Sequence, residues 1–348
     1  MKAAVFEDLE KLVVKEVPTP EIDDDSALVR VRACAVCGSD LRIYRSGNNR
    51  VKPPQILGHE ISGEVVKVGK NVTKVKVGDR IAVGADVPCG ECFFCEGGMG
   101  NICQDNYAIG YQFAGGFAEY MVLNRMTLLY GPVHKIPDDA NFSEYALAEP
   151  LGCVLNALER TPVEMGDTVV IIGGGPIGCM MIPVVKAMGA SRVISIERNP
   201  ARQKVALDSG ADMVINHAEV DIVEEVMKIT NGFGAELVIT ATPVPEMQQK
   251  ALEMARNRGR VNFFGGLPAN NCNVLLNSNL IHYKELMVSG AHGSLPRHHR
   301  KAVELIRDGL IDVKPFINEH FPLDQIQEGF DKATARNCMR VIIHPWGE

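Results

Sequence analysis

From about residue 151 onward, short apolar segments typical of strands alternate with longer segments of helical periodicity. These segments are, in order, residues 169–172, 177–188, 193–196, 201–209, 237–240, 246–256 and 261–264. Parallel strands need such crossover helices, which then cover both faces of the sheet. The pattern therefore predicts a doubly wound α/β fold for this part of the chain.

The loop after the first of these strands matches Gly-x-Gly-x-x-Gly through Gly173, Gly175 and Gly178. The first glycine permits a tight turn, the second lets backbone N–H groups approach a pyrophosphate, and the third lets the helix pack closely on the strand. The positive end of the helix dipole then faces the phosphates. Three glycines alone could also form a simple turn, so the neighbouring sequence must decide between a turn and a dinucleotide site.

That context is a second strand that ends at Glu197, nineteen residues after Gly178. A carboxylate there can accept hydrogen bonds from the adenosine ribose and would repel a 2′-phosphate, which favours NAD over NADP. Arg198 and Arg202 are close enough in sequence to weaken this discrimination. The predicted cofactor-binding residues are Gly173, Gly175, Pro176, Ile177, Gly178, Glu197, Arg198 and Arg202.

The first 150 residues contain short strands and turns, for example at residues 28–32, 63–68 and 80–83. After residue 289 we expect a helix over residues 297–308 and then strands punctuated by proline. With 348 residues the chain exceeds the usual size of one hydrophobic core, so two domains are expected.

The formal net charge of −7 and the aromatic share of 6% argue against binding to nucleic acid or to an anionic membrane. The densest basic run is Arg297-His298-His299-Arg300, which we interpret as the start of a solvated helix. No stretch of eighteen apolar residues occurs, so no membrane span is expected.

Four cysteines, Cys89, Cys92, Cys95 and Cys103, have a spacing that suits one tetrahedral Zn²⁺. A zinc ion with four protein ligands has no open coordination position, so it braces a loop and leaves the chemistry to other residues. The alternative is two disulfides in a secreted chain, but the first residues lack the apolar core of a signal peptide. We therefore expect a structural zinc and a cytoplasmic location.

A second, mixed set of metal-binding side chains comprises Cys37, His59, Glu60 and Glu149. One thiolate, one imidazole and one or two carboxylates suit a catalytic zinc, which keeps one position open for water or substrate. A buried cysteine or histidine taken alone is more often part of a core than a metal ligand. Their spacing leaves open whether they converge and which glutamate binds the metal directly.

The order and spacing of several motifs resemble those of zinc-dependent medium-chain alcohol dehydrogenases over essentially the whole chain. The motifs are Cys37-Gly38-Ser39-Asp40, Gly58-His59-Glu60, Val77-Gly78-Asp79-Arg80, the four-cysteine segment, Gly115-Gly116-Phe117-Ala118-Glu119-Tyr120, Glu149-Pro150-Leu151 and the glycine loop. The chain is most similar to the sorbitol (polyol) and threonine dehydrogenase branch, because Glu149 stands where other alcohol dehydrogenases have a cysteine ligand.

The resemblance implies a GroES-like β-rich catalytic domain over residues 1–150, with a structural zinc lobe at residues 89–103. A Rossmann dinucleotide-binding domain would cover residues 151–289, and residues 290–348 would complete the catalytic domain. The active site would lie in the cleft between the domains. The branch is often oligomeric, so a homotetramer or homodimer is expected.

The resemblance also implies roles for individual residues. Cys37, His59 and Glu60 resemble the catalytic zinc ligands of the branch, and Glu149 resembles a second carboxylate that binds zinc directly or through water. Ser39 resembles the hydroxyl that relays the substrate proton.

One position departs from the family pattern. Five residues after Cys37, many relatives carry a histidine that continues the proton relay, whereas this chain has Arg42. Arginine stays protonated and cannot shuttle protons, so the relay must end in water, a ribose hydroxyl or another group. Arg42 could instead hold an anion, and Tyr44 and His292 are further candidates for contacts with the substrate.

These observations together predict an oxidoreductase with two zinc ions per chain that transfers a hydride between NAD(H) and a secondary alcohol or ketone. A polyol or sugar alcohol is the expected small-molecule substrate. The alternatives are a dehydrogenase of a sugar phosphate or sugar acid, favoured by Arg42, Arg45 and the basic run, and an L-threonine 3-dehydrogenase-like enzyme. A zinc-free reductase or a non-catalytic NAD-binding module would not need the metal-binding residues.

Overall fold

The computed structural model describes residues 1–335 and 338–347. The chain forms two compact units. Unit 1 comprises Met1–Cys153 and Gly293–Glu348, and unit 2 comprises Val154–His292.

The strands are β1 (Lys2–Asp8), β2 (Lys11–Glu16), β3 (Ala27–Ala35), β4 (Gln55–Ile56), β5 (Glu60–Val68), β6 (Arg80–Val83), β7 (Asp86–Val87), β8 (Tyr107–Ala108), β9 (Tyr120–Leu123), β10 (Val133–Lys135), β11 (Thr168–Ile172), β12 (Arg192–Ile196), β13 (Met213–Ile215), β14 (Ala235–Thr240), β15 (Ala255–Phe263), β16 (Met287–Gly290), β17 (Ile317–Pro322) and β18 (Arg340–His344). The helices are α1 (Gly38–Ser46), α2 (Phe93–Glu96), α3 (Arg125–Tyr130), α4 (Phe142–Ala146), α5 (Ala148–Arg160), α6 (Pro176–Ala187), α7 (Pro200–Asp208), α8 (Ile222–Ile229), α9 (Glu246–Met254), α10 (Ser278–Tyr283), α11 (Pro296–Arg307) and α12 (Ile326–Ala335).

Unit 1 is built on a largely antiparallel sheet in the order β10-β6-β5-β3-β18-β17, with β9 also pairing with β3. Among the residues that the structure describes, the only parallel pair within this sheet is β17 with β18. Val29 and Val31 of β3, Ile61 and Val65 of β5 and Val341 of β18 are fully buried in one apolar core. Because β18 pairs with β3, the C-terminal strand is part of the same sheet as the first third of the chain.

Unit 2 contains a six-stranded parallel sheet in the order β13-β12-β11-β14-β15-β16. The strand order reverses direction between β11 and β14, which is the doubly wound arrangement expected from the alternating pattern. The central strand β11 is apolar over most of its length, as is usual in a parallel sheet covered on both faces: Val169, Val170 and Ile171 are each fully buried.

Most of the strands and helices predicted from periodicity are present with end points shifted by a few residues. The C-terminal prediction was incomplete, because α12 lies between β17 and β18 where only strands were expected. Ile326 and Phe330, spaced four residues apart, bury one face of this helix, and a segment this short gives a weak periodic signal. Sequence analysis also missed helix α5.

The basic run at residues 297–300 does open a helix, α11, as predicted. The prediction that this run is solvated was only half right, because His298 and His299 are buried while Arg297 and Arg300 are exposed. His298 Nδ1 accepts a hydrogen bond from Leu295 N at 3.2 Å and thereby caps the helix. Within the described part of the chain, no helix has both the length and the apolar character needed to cross a lipid bilayer.

Candidate functional site

Cys37 and Ser39 are placed by the N-terminus of α1. Cys37 is the N-cap residue, and its backbone N–H donates to Asp40 Oδ2 at 2.9 Å. The second oxygen of Asp40 accepts a hydrogen bond from Gly58 N at 3.2 Å. One fully buried carboxylate therefore ties the start of α1 to the segment that precedes β5.

His59 lies in that segment and is oriented by the same carboxylate. Its Nδ1 is 3.3 Å from Asp40 Oδ1, and its Nε2 is 3.2 Å from Ser39 Oγ. Gly58 adopts φ of 91°, a left-handed conformation that suits glycine, and this turn directs the following residue into the site. A metal-binding histidine is commonly held by a carboxylate on its other nitrogen, so Nε2 is the nitrogen available for a metal.

The structure brings together three of the four residues in the mixed set. One ligand atom each from Cys37, His59 and Glu60 lies within 4.8 Å of the others. Glu60 is fully buried, and among the described residues its Oε2 has no hydrogen-bond partner while its Oε1 is engaged only by a charged guanidinium described below. A buried carboxylate with so few donors needs further compensating charge, and a divalent cation would supply it.

Part of that compensation comes from Arg340 on β18, a residue that sequence analysis missed. Its Nη2 is 2.9 Å from Glu60 Oε1, and its Nη1 donates to Val36 O at 3.2 Å. Arg340 is only 5% exposed, so this ion pair is shielded from water. No sequence signal identified Arg340, because it is a single arginine about 280 positions from its partner.

Glu149 lies on α5 and is also buried, but it is outside the compact set of three. Burial raises the pKa of its carboxyl to about 7, although the charge of His59 opposes this shift. Cys153, one turn later, donates a weak hydrogen bond to Glu149 Oε1 at 3.7 Å. Glu149 is therefore close enough to interact with the set of three without belonging to it.

The electrostatics of the set favour a bound cation. Burial raises the pKa of the Glu60 carboxyl well above its ordinary value. Burial would also raise the pKa of the Cys37 thiol, but the neighbouring His59 lowers it to about 5. The thiolate, imidazole and carboxylate of these residues are donor types that zinc binds, and a bound cation would offset the cost of burying their negative charge.

The four-cysteine segment forms a second cluster. Its Sγ–Sγ distances include 3.5 Å for Cys92 and Cys95, 3.8 Å for Cys92 and Cys103 and 3.9 Å for Cys89 and Cys95. Zn–S bonds of about 2.3 Å in a tetrahedron give edges of about 3.8 Å. These distances exclude disulfides, whose sulfurs are about 2.05 Å apart, and fit one zinc ion.

In unit 2, the glycine loop joins β11 to α6, and Gly175 is the N-cap residue of that helix. A Cβ on Gly178 would lie 1.8 Å from Gly173 O, so the third glycine is required for the helix to approach the strand. Gly173 has φ of 109°, which also requires glycine. Pro176 and Ile177 form the first turn of α6.

Glu197 follows β12 and lies beside this loop. Its carboxylate accepts hydrogen bonds from Gly174 N at 3.0 Å and from Arg198 N and Asn199 N at 2.8 Å. Arg202, on α7, has its Nη1 3.9 Å from the Cβ position of Gly175. The carboxylate is thus fixed by backbone donors next to the predicted phosphate-binding loop.

Two family models match the chain: the alcohol dehydrogenase GroES-like domain at residues 23–138 and the zinc-binding dehydrogenase at residues 176–308. The sorbitol dehydrogenase of Bacillus subtilis is 34% identical over 99% of this chain and 97% of its own length. The chain belongs to the zinc-binding alcohol dehydrogenase family. The L-threonine 3-dehydrogenase of Bacillus subtilis is 36% identical over 96% of this chain and 95% of its own length.

A solved structure leads to the same family. A putative zinc-binding dehydrogenase from Sinorhizobium meliloti 1021, bound to NADP, is 31% identical, with a TM-score of 0.93 and 99% of each chain covered. The predicted family and fold class of this dehydrogenase are therefore confirmed.

The other residues of the dehydrogenase that were predicted to contact a substrate lie in different parts of the chain. Arg42 is exposed on α1. The Tyr44 hydroxyl donates to Glu10 O at 2.9 Å, and its ring packs edge-on against Phe330 at 5.5 Å. His292 is exposed at the end of unit 2. Their roles toward a substrate stay predictions.

Proposed function

We propose that this dehydrogenase uses NAD to oxidise a secondary alcohol of the polyol class and catalyses the reverse reduction of the ketone. The observation that carries the proposal is the convergence of Cys37, His59 and Glu60 within 4.8 Å, with Ser39 Oγ 3.2 Å from His59 Nε2. A hydroxyl beside a metal-binding set is suited to remove a proton from an alcohol.

The catalytic zinc would be held by Cys37 Sγ, His59 Nε2 and the Glu60 carboxylate, with Glu149 in contact directly or through water. A zinc ion bound there supplies Lewis acidity, which lowers the pKa of a substrate hydroxyl. The structural zinc would be held by the sulfurs of Cys89, Cys92, Cys95 and Cys103.

The protein's own residues then handle the proton and the geometry. Ser39 would accept the proton of the substrate hydroxyl and donate its own proton to water or to a ribose hydroxyl of the dinucleotide, so that its charge does not change. Asp40 fixes the His59 ring through Nδ1 and thereby keeps Nε2 directed into the site. Arg340 neutralises part of the negative charge on Glu60.

The dinucleotide would bind at the glycine loop of unit 2, and its nicotinamide supplies the hydride acceptor. The α6 N-terminus and the loop N–H groups would face the pyrophosphate. Glu197 supports a preference for NAD, because a 2′-phosphate beside a buried carboxylate would be repelled.

Two substrate classes are supported by relatives of this chain, the polyols by the sorbitol dehydrogenase and the amino alcohols by the L-threonine 3-dehydrogenase. We favour a neutral polyol, because the basic residues suggested for an anionic substrate, Arg42 and Arg45, are exposed on α1.

The experiment is a spectrophotometric screen with NAD and then NADP, over sorbitol, xylitol, butanediol, threonine, aldonates and hexitol phosphates. The proposal expects NAD-dependent oxidation of polyols and two zinc ions per chain by elemental analysis. Activity confined to carboxylated or phosphorylated compounds would overturn the polyol assignment, and activity only on threonine would support the amino-alcohol alternative.

We also infer a homodimer or homotetramer in the cytoplasm. β16 is an edge strand of the unit 2 sheet and Met287 on it is 58% exposed, so another copy could pair there. None of the ten cysteines forms a disulfide, as is usual in a reducing compartment. Light scattering with the purified protein tests the oligomeric state.

A further inference from the structure

A cleft of about 510 Å³ lies in unit 2, at the edge of the parallel sheet where its strands begin. Thr168 is the first residue of β11, Arg192 is the first of β12, and Arg256 is the second of β15. All three line the cleft. The glycine loop instead follows the last residue of β11, so the cleft and the predicted dinucleotide site lie at opposite edges of the sheet.

One wall of the cleft is the loop at residues 230–234, which joins α8 to β14 and is held at both ends. Arg192 Nη1 donates to Ile229 O, immediately before the loop, at 3.1 Å. Gly234 has φ of 84°, and a Cβ there would lie 2.8 Å from Arg256 N. The loop therefore lies against the start of β15, and Phe233 lines the same cleft as the two arginines.

Phe233 exposes an aromatic ring on this concave surface. Its side chain is 77% exposed. Little of the ring is covered by the protein, so one of its faces is available for a planar ring of a ligand to stack on.

The cleft is positively charged, because two guanidiniums line it with a single carboxylate, that of Glu236. Glu236 Oε1 lies 2.9 Å from Arg256 Nη1, and its Oε2 accepts a hydrogen bond from Thr168 N at 2.8 Å. Both oxygens of this carboxylate are thus engaged. Glu236 holds the Arg256 guanidinium in place and leaves the charge of Arg192 uncompensated within the lining.

Both arginines keep donors for a ligand. The buried Nε of Arg256 has no hydrogen-bond partner among the described residues. Arg192 is exposed, and Asp212, the acidic residue near it, pairs with Lys186. A buried N–H group without an acceptor is uncommon in proteins, and the fork of a guanidinium matches the oxygens of a phosphate.

We propose that this cleft binds a nucleoside monophosphate, with its phosphate between Arg192 and Arg256 and its base stacked on Phe233. Two guanidiniums suit a dianion, and an aromatic face accepts any base. The amide side chains of Asn231 and Asn257, also in the lining, offer donors and acceptors to the base or the ribose. A volume of about 510 Å³ is in the range of small-molecule sites. This binding goes beyond the dehydrogenase reaction and needs neither zinc nor the glycine loop.

The test is isothermal titration of the zinc-loaded full-length protein with uridine monophosphate (UMP), alone and with saturating NADH or NADPH. A bound dinucleotide occupies the glycine loop, so it would displace UMP from that site but not from the cleft. We expect the same affinity for UMP with and without dinucleotide, and an affinity at least about tenfold lower for uridine, which lacks the phosphate. Absence of UMP binding at millimolar concentration, or its loss when dinucleotide is added, would overturn the proposal.

Arg256→Gln tests the phosphate contact, with Arg258→Gln as the matched control. Arg258 is on the same strand, and its Nε is 3.1 Å from Glu285 Oε2, so each change removes one guanidinium from one ion pair. We expect Arg256→Gln to weaken UMP binding at least about tenfold and Arg258→Gln to leave it unchanged. Equal affinities of the two variants for UMP would contradict the phosphate assignment.

Substitutions of Phe233 test the base contact. Phe233→Trp keeps a planar ring, and stacking of uracil should quench its fluorescence. Phe93→Trp, at a phenylalanine that is 75% exposed in the four-cysteine segment, is the matched control and should not be quenched. Phe233→Ala should lower the affinity for UMP roughly fivefold or more and leave the affinity for inorganic phosphate unchanged. An unquenched Phe233→Trp, or equal losses for UMP and phosphate in Phe233→Ala, would overturn the base assignment.

Discussion

At the scale of single residues, the fully buried Asp40 organises the candidate zinc site without binding the metal. It accepts hydrogen bonds from the backbone of Cys37 and of Gly58 and faces His59 Nδ1. Two proposed ligands from separate parts of the sequence are thus fixed to one carboxylate. The cysteine and histidine motifs indicated a metal site, but only the structure reveals what orients them.

Replacing Cys37 by serine should remove the catalytic zinc alone. A serine hydroxyl is a poor ligand at neutral pH, so we expect the zinc content to fall from two to one per chain and kcat to drop at least about a thousandfold. NADH binding, measured by fluorescence titration, should be unchanged. Cys272→Ser, at an exposed cysteine, is the matched control, and full activity of a Cys37→Ser protein lacking this zinc would refute the assignment.

Glu197→Gln tests the basis of cofactor choice. The amide keeps the size of the side chain but removes the charge that repels a 2′-phosphate. We expect the ratio of kcat/KM for NAD to that for NADP to fall by roughly tenfold or more, equivalent to at least about 1.4 kcal/mol. Glu224→Gln, on the exposed side of α8, should leave the ratio unchanged. An unaltered ratio in Glu197→Gln would show that other residues select the cofactor.

At the scale of secondary-structure elements, the four-cysteine segment has little regular structure of its own. It contains α2, with four residues, and a single short turn of 3₁₀-helix at Gly100–Ile102. Phe93 in α2 is 75% exposed, so α2 gains little from burial. The zinc–thiolate bonds would therefore provide most of the stability of this segment.

Cys95→Ser should leave a three-thiolate site that binds zinc weakly. We expect loss of one zinc per chain and a melting temperature lower by roughly 5 °C or more, because structural zinc contributes folding free energy. The catalytic zinc should remain, so residual activity at low temperature separates this variant from Cys37→Ser. Retention of both zinc ions would show that the cluster does not hold metal as proposed.

Sequence predicted the elements whose signals are local and missed those that depend on distant contacts. The glycine loop, the cysteine spacing and the parallel strands have patterns within short windows. Arg340 gave no such signal, because its importance arises only when β18 pairs with β3. Helix α5, which carries Glu149, was missed because the motif at its start contains Pro150 and was interpreted as the junction between the two domains.

At the scale of the whole molecule, a pair of histidines links stability to pH. His134 on β10 and His299 on α11 have their Nδ1 atoms 2.9 Å apart. Burial, together with the charges of the nearby Lys74 and Arg300, lowers the pKa of His134 to about 4. Burial, His134 and Lys74 lower the pKa of His299 well below its ordinary value.

The folded pKa of His134 is below the unfolded value, so the unfolded chain binds more protons between about pH 4 and 6.5. Stability should therefore be lost as the pH falls through this window. His134→Asn should make the decline shallower, by at most about 1.4 kcal/mol per pH unit, measured by urea unfolding from pH 7 to 5. His217→Asn, at an exposed histidine, should follow the wild type; a His134→Asn protein that does so too would contradict this prediction.

The pairing of β18 with β3 also has a consequence for synthesis. Cys34 pairs with Ile343, which lies more than 300 positions later in the chain. At about 5–20 residues per second, a ribosome needs roughly 15–60 s to make the intervening segment. During that interval β9 can already pair with residues 27–30 of β3, but Cys34 and Ala35 lack their partners on β18, and Arg340 does not yet exist. The nascent chain thus carries Cys37, His59 and Glu60 before it can complete their surroundings, and we expect zinc to enter the proposed catalytic site only after β18 has been made.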